Sequence, residues 1–278
     1  MAKIVRRMTW LWFGLGLYLL FVGMLYGCQR QLLYYPDRGK PDPARHALPT
    51  LEVIGVEGAD GLTLEHWFVP PPSAAAPVVV VFHGNAGHIG HRMEKYRFLV
   101  EAGLGLLLAE YRGYGGNPGQ PEEPGMTADG AALLDWLAGR GVAPARTWLY
   151  GESLGTGLAV KLAAAAEPAL AGVALEAPYT SIAEVAQSHY WYVPAKWLVK
   201  DRWDSVSRIT DIRVPLLILH GERDRTVPTR FGRDLFAAAA EPKDALWLRN
   251  AGHNDVLDFP EARQRVLRFV LEGAARSQ

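Results

Sequence analysis

Six short runs of almost uninterrupted apolar residues constrain the fold of this chain more than any other feature: Val78 to Phe82, Leu104 to Ala109, Thr147 to Tyr150, Gly172 to Leu175, Leu216 to Leu219 and Ala245 to Leu248. A strand with apolar residues on both of its faces has to be covered on both faces, as in a parallel sheet flanked by helices. The intervals supply such helices, near Arg92 to Ala102, Thr127 to Gly139, Leu154 to Ala166, Thr229 to Ala240 and Pro260 to Glu272. Upstream, Leu51 to Val56 and Leu62 to Val69 alternate around Asp60-Gly61, which predicts an antiparallel hairpin at the start of the sheet. The pattern predicts an α/β chain with a mostly parallel, eight-stranded sheet. Its material suffices for one sizeable core, since 49% of the 278 residues are hydrophobic and 21% charged. Only Pro178 to Val214 breaks the alternation; it carries Tyr190, Trp191, Tyr192, Trp197 and Trp203 without a strand and reads as an inserted cap.

The N-terminus is a separate object. Lys3, Arg6 and Arg7 precede an uncharged apolar run, Met8 to Cys28, whose length of roughly 20 residues suits a bilayer-spanning helix. A cleaved signal would have a shorter apolar core of about 7 to 15 residues with small residues at the cut, which Met24-Leu25-Tyr26-Gly27 does not supply. The reading is a signal-anchor-like membrane anchor over 1–31, a Pro-rich linker over 32–49, and a catalytic domain over 50–278 with its cap at about 178–214. The basic cluster ahead of the run favours an extracytoplasmic domain. The alternative is a bacterial lipoprotein, because Leu25-Tyr26-Gly27-Cys28 resembles a lipidation box. Lysine plus arginine equals aspartate plus glutamate at 29 each, so no basic footprint points to nucleic acid. Cys28 is the only cysteine, which excludes an internal disulfide and a cysteine-rich metal site.

Chemistry concentrates at the ends of the apolar runs. Gly151-Glu152-Ser153-Leu154-Gly155 is a G-x-S-x-G motif between a strand and a helix, where a tight turn presents Ser153 at the helix start. The Leu154 backbone N–H then points at a developing oxyanion. A hydroxyl needs a base, and His253, after the last strand, is the histidine of eight best placed to serve it. His83 and His220 read as hydrogen-bonded loop anchors. The acid belongs between serine and histidine in the chain. Asp224, just after the run Leu216 to Leu219, fits, with Glu176 at an earlier strand end as its competitor. The second oxyanion amide is assigned to Asn85 in His83-Gly84-Asn85-Ala86-Gly87, with Gly84 as fallback.

Together these segments, with Tyr34-Tyr35-Pro36-Asp37, Tyr111-Arg112-Gly113-Tyr114-Gly115 and Val214-Pro215-Leu216, resemble the α/β-hydrolase superfamily. Within it, the resemblance is to the membrane-anchored branch of bud-emergence (BEM-like) and alpha/beta-hydrolase-domain-containing proteins. It covers nearly everything after Gln31. It implies the α/β-hydrolase fold and a serine hydrolase of carboxylic esters or thioesters, with Ser153, Asp224 and His253 at the matching positions. The implied substrate is a small-molecule or lipid-like acyl compound, and neither metal nor organic cofactor is called for. A peptidase or aminopeptidase, an acyltransferase, and a non-catalytic membrane-tethered scaffold are the alternatives.

Overall fold

The computed structural model describes residues 2–276, so the expected outer limits at residues 1, 277 and 278 lie outside the described residues. The elements run α1 (Ala2–Leu33), β1 (Tyr35–Pro36), β2 (Glu52–Glu57), β3 (Thr63–Val69), β4 (Val78–Phe82), β5 (Ala86–Gly87), α2 (Met93–Glu101), β6 (Gly105–Ala109), α3 (Glu123–Gly139), β7 (Thr147–Glu152), α4 (Leu154–Ala165), β8 (Gly172–Glu176), α5 (Ile182–His189), α6 (Ala195–Leu198), β9 (Leu216–Gly221), α7 (Thr229–Ala238), β10 (Lys243–Leu248) and α8 (Pro260–Arg276).

Among the described residues, one eight-stranded sheet has the order β10-β9-β8-β7-β4-β6-β3-β2. The two joins involving β3 are antiparallel and the remaining joins are parallel. Val80 of β4 lies between Leu107 of β6 and Leu149 of β7, which makes β4 the central strand where the winding reverses direction. Alternate residues of these strands feed two cores. Val78, Val80, Leu149, Val173 and Ile218 pack against α3, α4 and α7 on one face. Val79, Val81, Tyr150, Leu217 and Leu219 pack against α2 and α8 on the other. Edge strand β2, by contrast, buries only Ile54 and Val56, as its alternating sequence requires.

The 32–49 stretch, expected as a linker, is fastened to the domain at its start. Tyr34 is buried; its hydroxyl approaches Asp201 Oδ2 at 3.2 Å and accepts a hydrogen bond from Trp203 Nε1 at 3.1 Å. β1 pairs in parallel with β5, the Tyr35 amide donating to Asn85 O at 2.9 Å. The cap carries α5, α6 and a 3-10 turn at Ile209–Asp211. Four of its aromatics have distinct surroundings. Trp203 is buried, Tyr192 stacks on Phe21 of α1, and Trp191 and Trp197 stand 79% and 81% exposed.

α1 leans on the cap through a stripe of half-buried residues, Val22, Leu25, Gln29, Arg30 and Leu33, at the spacing of one helix face. Polar contacts hold it there. Arg30 binds Asp201 through Nε and Nη2 at 2.9 and 3.2 Å and Glu122 through Nη1 at 2.7 Å. The Gln29 amide donates to Leu198 O and accepts from Lys200 N, and Tyr18 donates to Tyr192 O at 3.0 Å.

Candidate active site

Ser153 sits at the turn from β7 into α4 with φ 49° and ψ −113°, a left-handed backbone that an ordinary residue adopts only under constraint. The flanking glycines permit it. A Cβ on Gly155 would collide with the Phe82 carbonyl oxygen, and one on Gly151 would come within 2.6 Å of Thr156 Cα. The turn is held from both sides, the Ser153 amide donating to Glu176 O and the Thr156 amide to Ser153 O. Leu154 is the first residue of α4, where an amide has no acceptor within the helix.

The structure brings Ser153, His253 and Asp224 into one line. Ser153 Oγ is 2.9 Å from His253 Nε2, and His253 Nδ1 is 2.6 Å from Asp224 Oδ2. Asp224 Oδ1 accepts from the Thr226 and Val227 amides, both at 2.8 Å. Burial alone would raise the Asp224 pKa. His220 and His253, together with the Val227 amide, more than offset it and hold the carboxyl well below the usual carboxylate range. His220 is the loop anchor its sequence position suggested: its Nε2 lies 2.8 Å from Val227 O and 3.3 Å from Asp224 Oδ2. It was not expected to lie directly behind the acid. A histidine ending the same strand, four residues before the acid, was the available signal.

Glu176, the competing carboxylate, is fully buried and committed elsewhere. Its Oε1 meets Lys95 Nζ at 2.8 Å and its Oε2 accepts from Tyr150 Oη at 2.6 Å. Lys95 also reaches Glu152, the variable residue before the serine, at 3.3 Å, and Arg92 joins at 3.0 Å.

Asn85 and Leu154 both border the same cavity as Ser153. The Asn85 loop is pinned by the end of α1, the residue pair after it and Tyr114: its side-chain amide donates to Leu33 O at 2.9 Å, and its carbonyl accepts from Tyr35 N and Tyr114 Oη. His83 is sandwiched behind it, between Glu110 Oε1 at 2.9 Å and Gly84 O at 2.7 Å. Arg112 lies away from the site and clamps Asp129 through two contacts at 2.6 and 2.7 Å.

The cavity has a volume of about 310 Å³ and is walled mainly by apolar side chains. The cap gives Ile182, Val185, Tyr190 and Val193, and α1 gives Val22, Leu25, Tyr26 and Leu33. Trp191 and Trp197 do not border the cavity and remain exposed. Outside the site, Asp37, His88 and His91 gather into a group with spacing suited to a metal ion, His88 Nε2 lying 3.6 Å from Asp37 Oδ2.

A nucleophile elbow, a facing glycine-rich loop and an acid–histidine pair, all at the carboxyl edge of a doubly wound sheet, define the α/β-hydrolase class. Comparison with known proteins agrees. Residues 73–206 match the family described as "Serine aminopeptidase, S33". The uncharacterized protein Rv2307c of Mycobacterium tuberculosis is 40% identical over 258 residues, covering 91% of each chain. Lysophosphatidylserine lipase ABHD12 of Danio rerio is 36% identical over 196 residues, which are 64% of this chain and 51% of that one. The chain thus spans about half the length of the ABHD12 relatives. The Pyrococcus furiosus esterase Pf2001 shares the fold, with a TM-score of 0.72 at 18% identity over 87% of this chain and 98% of that one. The chain belongs to the α/β-hydrolase superfamily, in its alpha/beta-hydrolase-domain-containing branch.

Proposed function

We propose that this protein is a membrane-anchored serine esterase acting on esters or thioesters of apolar acyl groups. The observation that carries the reading is the unbroken line from Ser153 Oγ through His253 to Asp224 on the border of an apolar cavity. His253 Nε2 takes the proton as Ser153 Oγ attacks the acyl carbon, while the Leu154 and Asn85 amides receive the oxyanion. The protonated His253 then gives that proton to the leaving alcohol or thiol. Water, deprotonated by the same histidine, releases the acid from the acyl-enzyme. The names of the ABHD12 and Pf2001 relatives support ester chemistry.

The S33 match keeps an aminopeptidase in view, but such an enzyme needs an anionic group free to hold the substrate ammonium. Asp201, the carboxylate on the cavity wall, is taken by Arg30. We assign the anchor to α1, whose Arg6–Leu33 stretch is long and apolar enough to cross a bilayer; the basic residues ahead of the apolar run favour an extracytoplasmic catalytic domain. The test is labelling of the membrane-bound protein by a fluorophosphonate, together with hydrolysis of p-nitrophenyl esters and of amino-acid p-nitroanilides. Ser153→Ala should lose both label and esterase activity. An unlabelled wild type would support a scaffold, and faster anilide cleavage would support a peptidase.

A further inference from the structure

We propose that the second half of α1 is a wall of the acyl-binding pocket, and that the acyl chain reaches Ser153 from within the bilayer leaflet, along this helix. The proposal rests on the esterase reading only for its chemistry. Val22, Leu25, Tyr26, Gln29 and Leu33 recur at three- and four-residue steps, and all of them border the cavity that contains Ser153. The opposite wall is Ile182, Val185 and Val193 of the cap. A helix whose only task was anchoring would present lipid on every face. This one turns a stripe towards the nucleophile and is fixed in that rotation by Arg30 on Asp201 and Gln29 on the 198–200 backbone.

Distance along the helix supplies the second argument. The cap touches α1 as far back as Tyr18, through the Tyr192 carbonyl, and Phe21, through the Tyr192 ring. Fifteen residues of helix, about 22 Å, separate Tyr18 from Leu33. The apolar run of α1 begins at Met8, so only about 15 Å of it, from Met8 to Leu17, is clear of the cap. That is half the roughly 30 Å thickness of a hydrocarbon core. The run can be immersed only if the tip of the cap enters the leaflet with it. The tip suits that: Trp191 and Trp197 face outward, and half-exposed Lys196, 3.3 Å from Glu184, has a stem long enough to carry its charge to the headgroups. A pocket between an immersed helix and an immersed cap is continuous with the acyl chains of the leaflet, so an ester enters chain first. Lipidation and cleavage at Cys28 would remove Val22, Leu25 and Tyr26 and open this wall.

The full chain in phosphatidylcholine vesicles tests the proposal with Val22→Trp and Leu25→Trp, which fill the cavity from α1, against Leu20→Trp on the outer face of the same helix. The ratio of kcat/KM for p-nitrophenyl laurate to that for the butyrate should fall roughly tenfold or more in the first two and stay at the wild-type value in the third. An unchanged ratio in both cavity variants overturns the proposal. A second measurement is independent of turnover. Ser153→Ala vesicles carrying a diazirine-bearing palmitic acid should crosslink to cap residues 182–186 on illumination, and Leu25→Trp should remove that crosslink while Leu20→Trp keeps it. Absence of the cap crosslink, or its persistence in Leu25→Trp, also overturns the proposal. A wild type that hydrolyses no ester but gives the crosslink refutes the esterase reading and leaves the α1 wall standing.

Discussion

At Ser153 a single residue holds a backbone conformation that its neighbours make possible, and the same neighbours made it findable. Only glycines fit at 151 and 155 between β7, α4 and the Phe82 carbonyl, so the steric demand of the turn is written directly in the sequence. Gly155→Ala should therefore yield little folded, active protein, measured as fluorophosphonate-reactive material per unit of expressed chain. Asp224 was readable for a different reason: it follows a buried strand, and every such strand ends at the same sheet edge. Glu176 met the same criterion, and composition could not separate the two. What separates them is partnership, since Lys95 and Tyr150 hold Glu176 while His253 faces Asp224. Asp224→Asn should lower kcat by roughly four orders of magnitude, about 5 kcal/mol, because the imidazole loses its orienting acceptor. Glu176→Gln should cost no more than a few-fold. Assays of both purified variants with a short p-nitrophenyl ester decide between the carboxylates, and the reverse ranking would reassign the acid.

Between elements, α2 is riveted to the ends of β7 and β8 by Lys95 and Arg92 on Glu152 and Glu176. Burial raises the pKa of both carboxyls. For Glu152 the attraction of Lys95, Arg92 and His83 outweighs burial and lowers it to about 2, whereas Glu176, beside an ionised Glu152, stays raised. The ionised form of Glu152 is thus favoured by folding. Its contribution is complete above its ordinary value of 4.5 and is lost as pH falls towards about 2. Glu176 acts with opposite sign, costing stability as pH rises above 4.5. Glu152→Gln should destabilise the protein by about 3 kcal/mol near neutrality, by taking the only carboxylate from Arg92 and one of two from Lys95, and should flatten the acid limb of a plot of melting temperature against pH. Glu176→Gln should cost less than Glu152→Gln, since burial and the charge of Glu152 disfavour the ionised form at 176 and folding therefore gains less from it. Equal losses in the two variants would refute this division of charge. Strands and long helices were legible here because burial on two faces enforces unbroken apolar runs. α5 and α6 were not: with eight and four residues they show too little of a helical period to be told from a loop.

Over the whole molecule, the contacts of Tyr34, Tyr35 and Arg30 with later elements suggest a folded unit that begins ahead of the boundary expected near Thr50. A cut before Leu51 removes buried Tyr34, the partner of β5, and the polar clamp on Asp201. Were 32–49 only a spacer, such a fragment should be a soluble, active enzyme. The packing of Tyr34 predicts a different outcome: its loss by itself should cost roughly 3 to 5 kcal/mol, by the measure of other large aromatic truncations. The fragment should melt well below the full chain in detergent, and Tyr34→Ala in the full chain should reproduce much of that drop. An equal melting temperature for fragment and full chain would restore the tether picture. The Pro-rich composition of 36–49 suggested a passive spacer because composition reports local chain preference, whereas the attachment at Tyr34 and Tyr35 depends on partners more than fifty residues away.

The pairing of Tyr35 with the Asn85 loop has a consequence for how such a protein can be rearranged by recombination. Domains that hang from a spacer can exchange one targeting segment for another, because nothing inside them registers the swap. Here a junction anywhere before Tyr35 would have to deliver the new chain at the right height and rotation to keep the Asn85 amide in place. Helix and domain therefore make one mechanical unit, and chimeras that graft a foreign helix at Gln31 should lose activity in proportion to how far they displace that one loop.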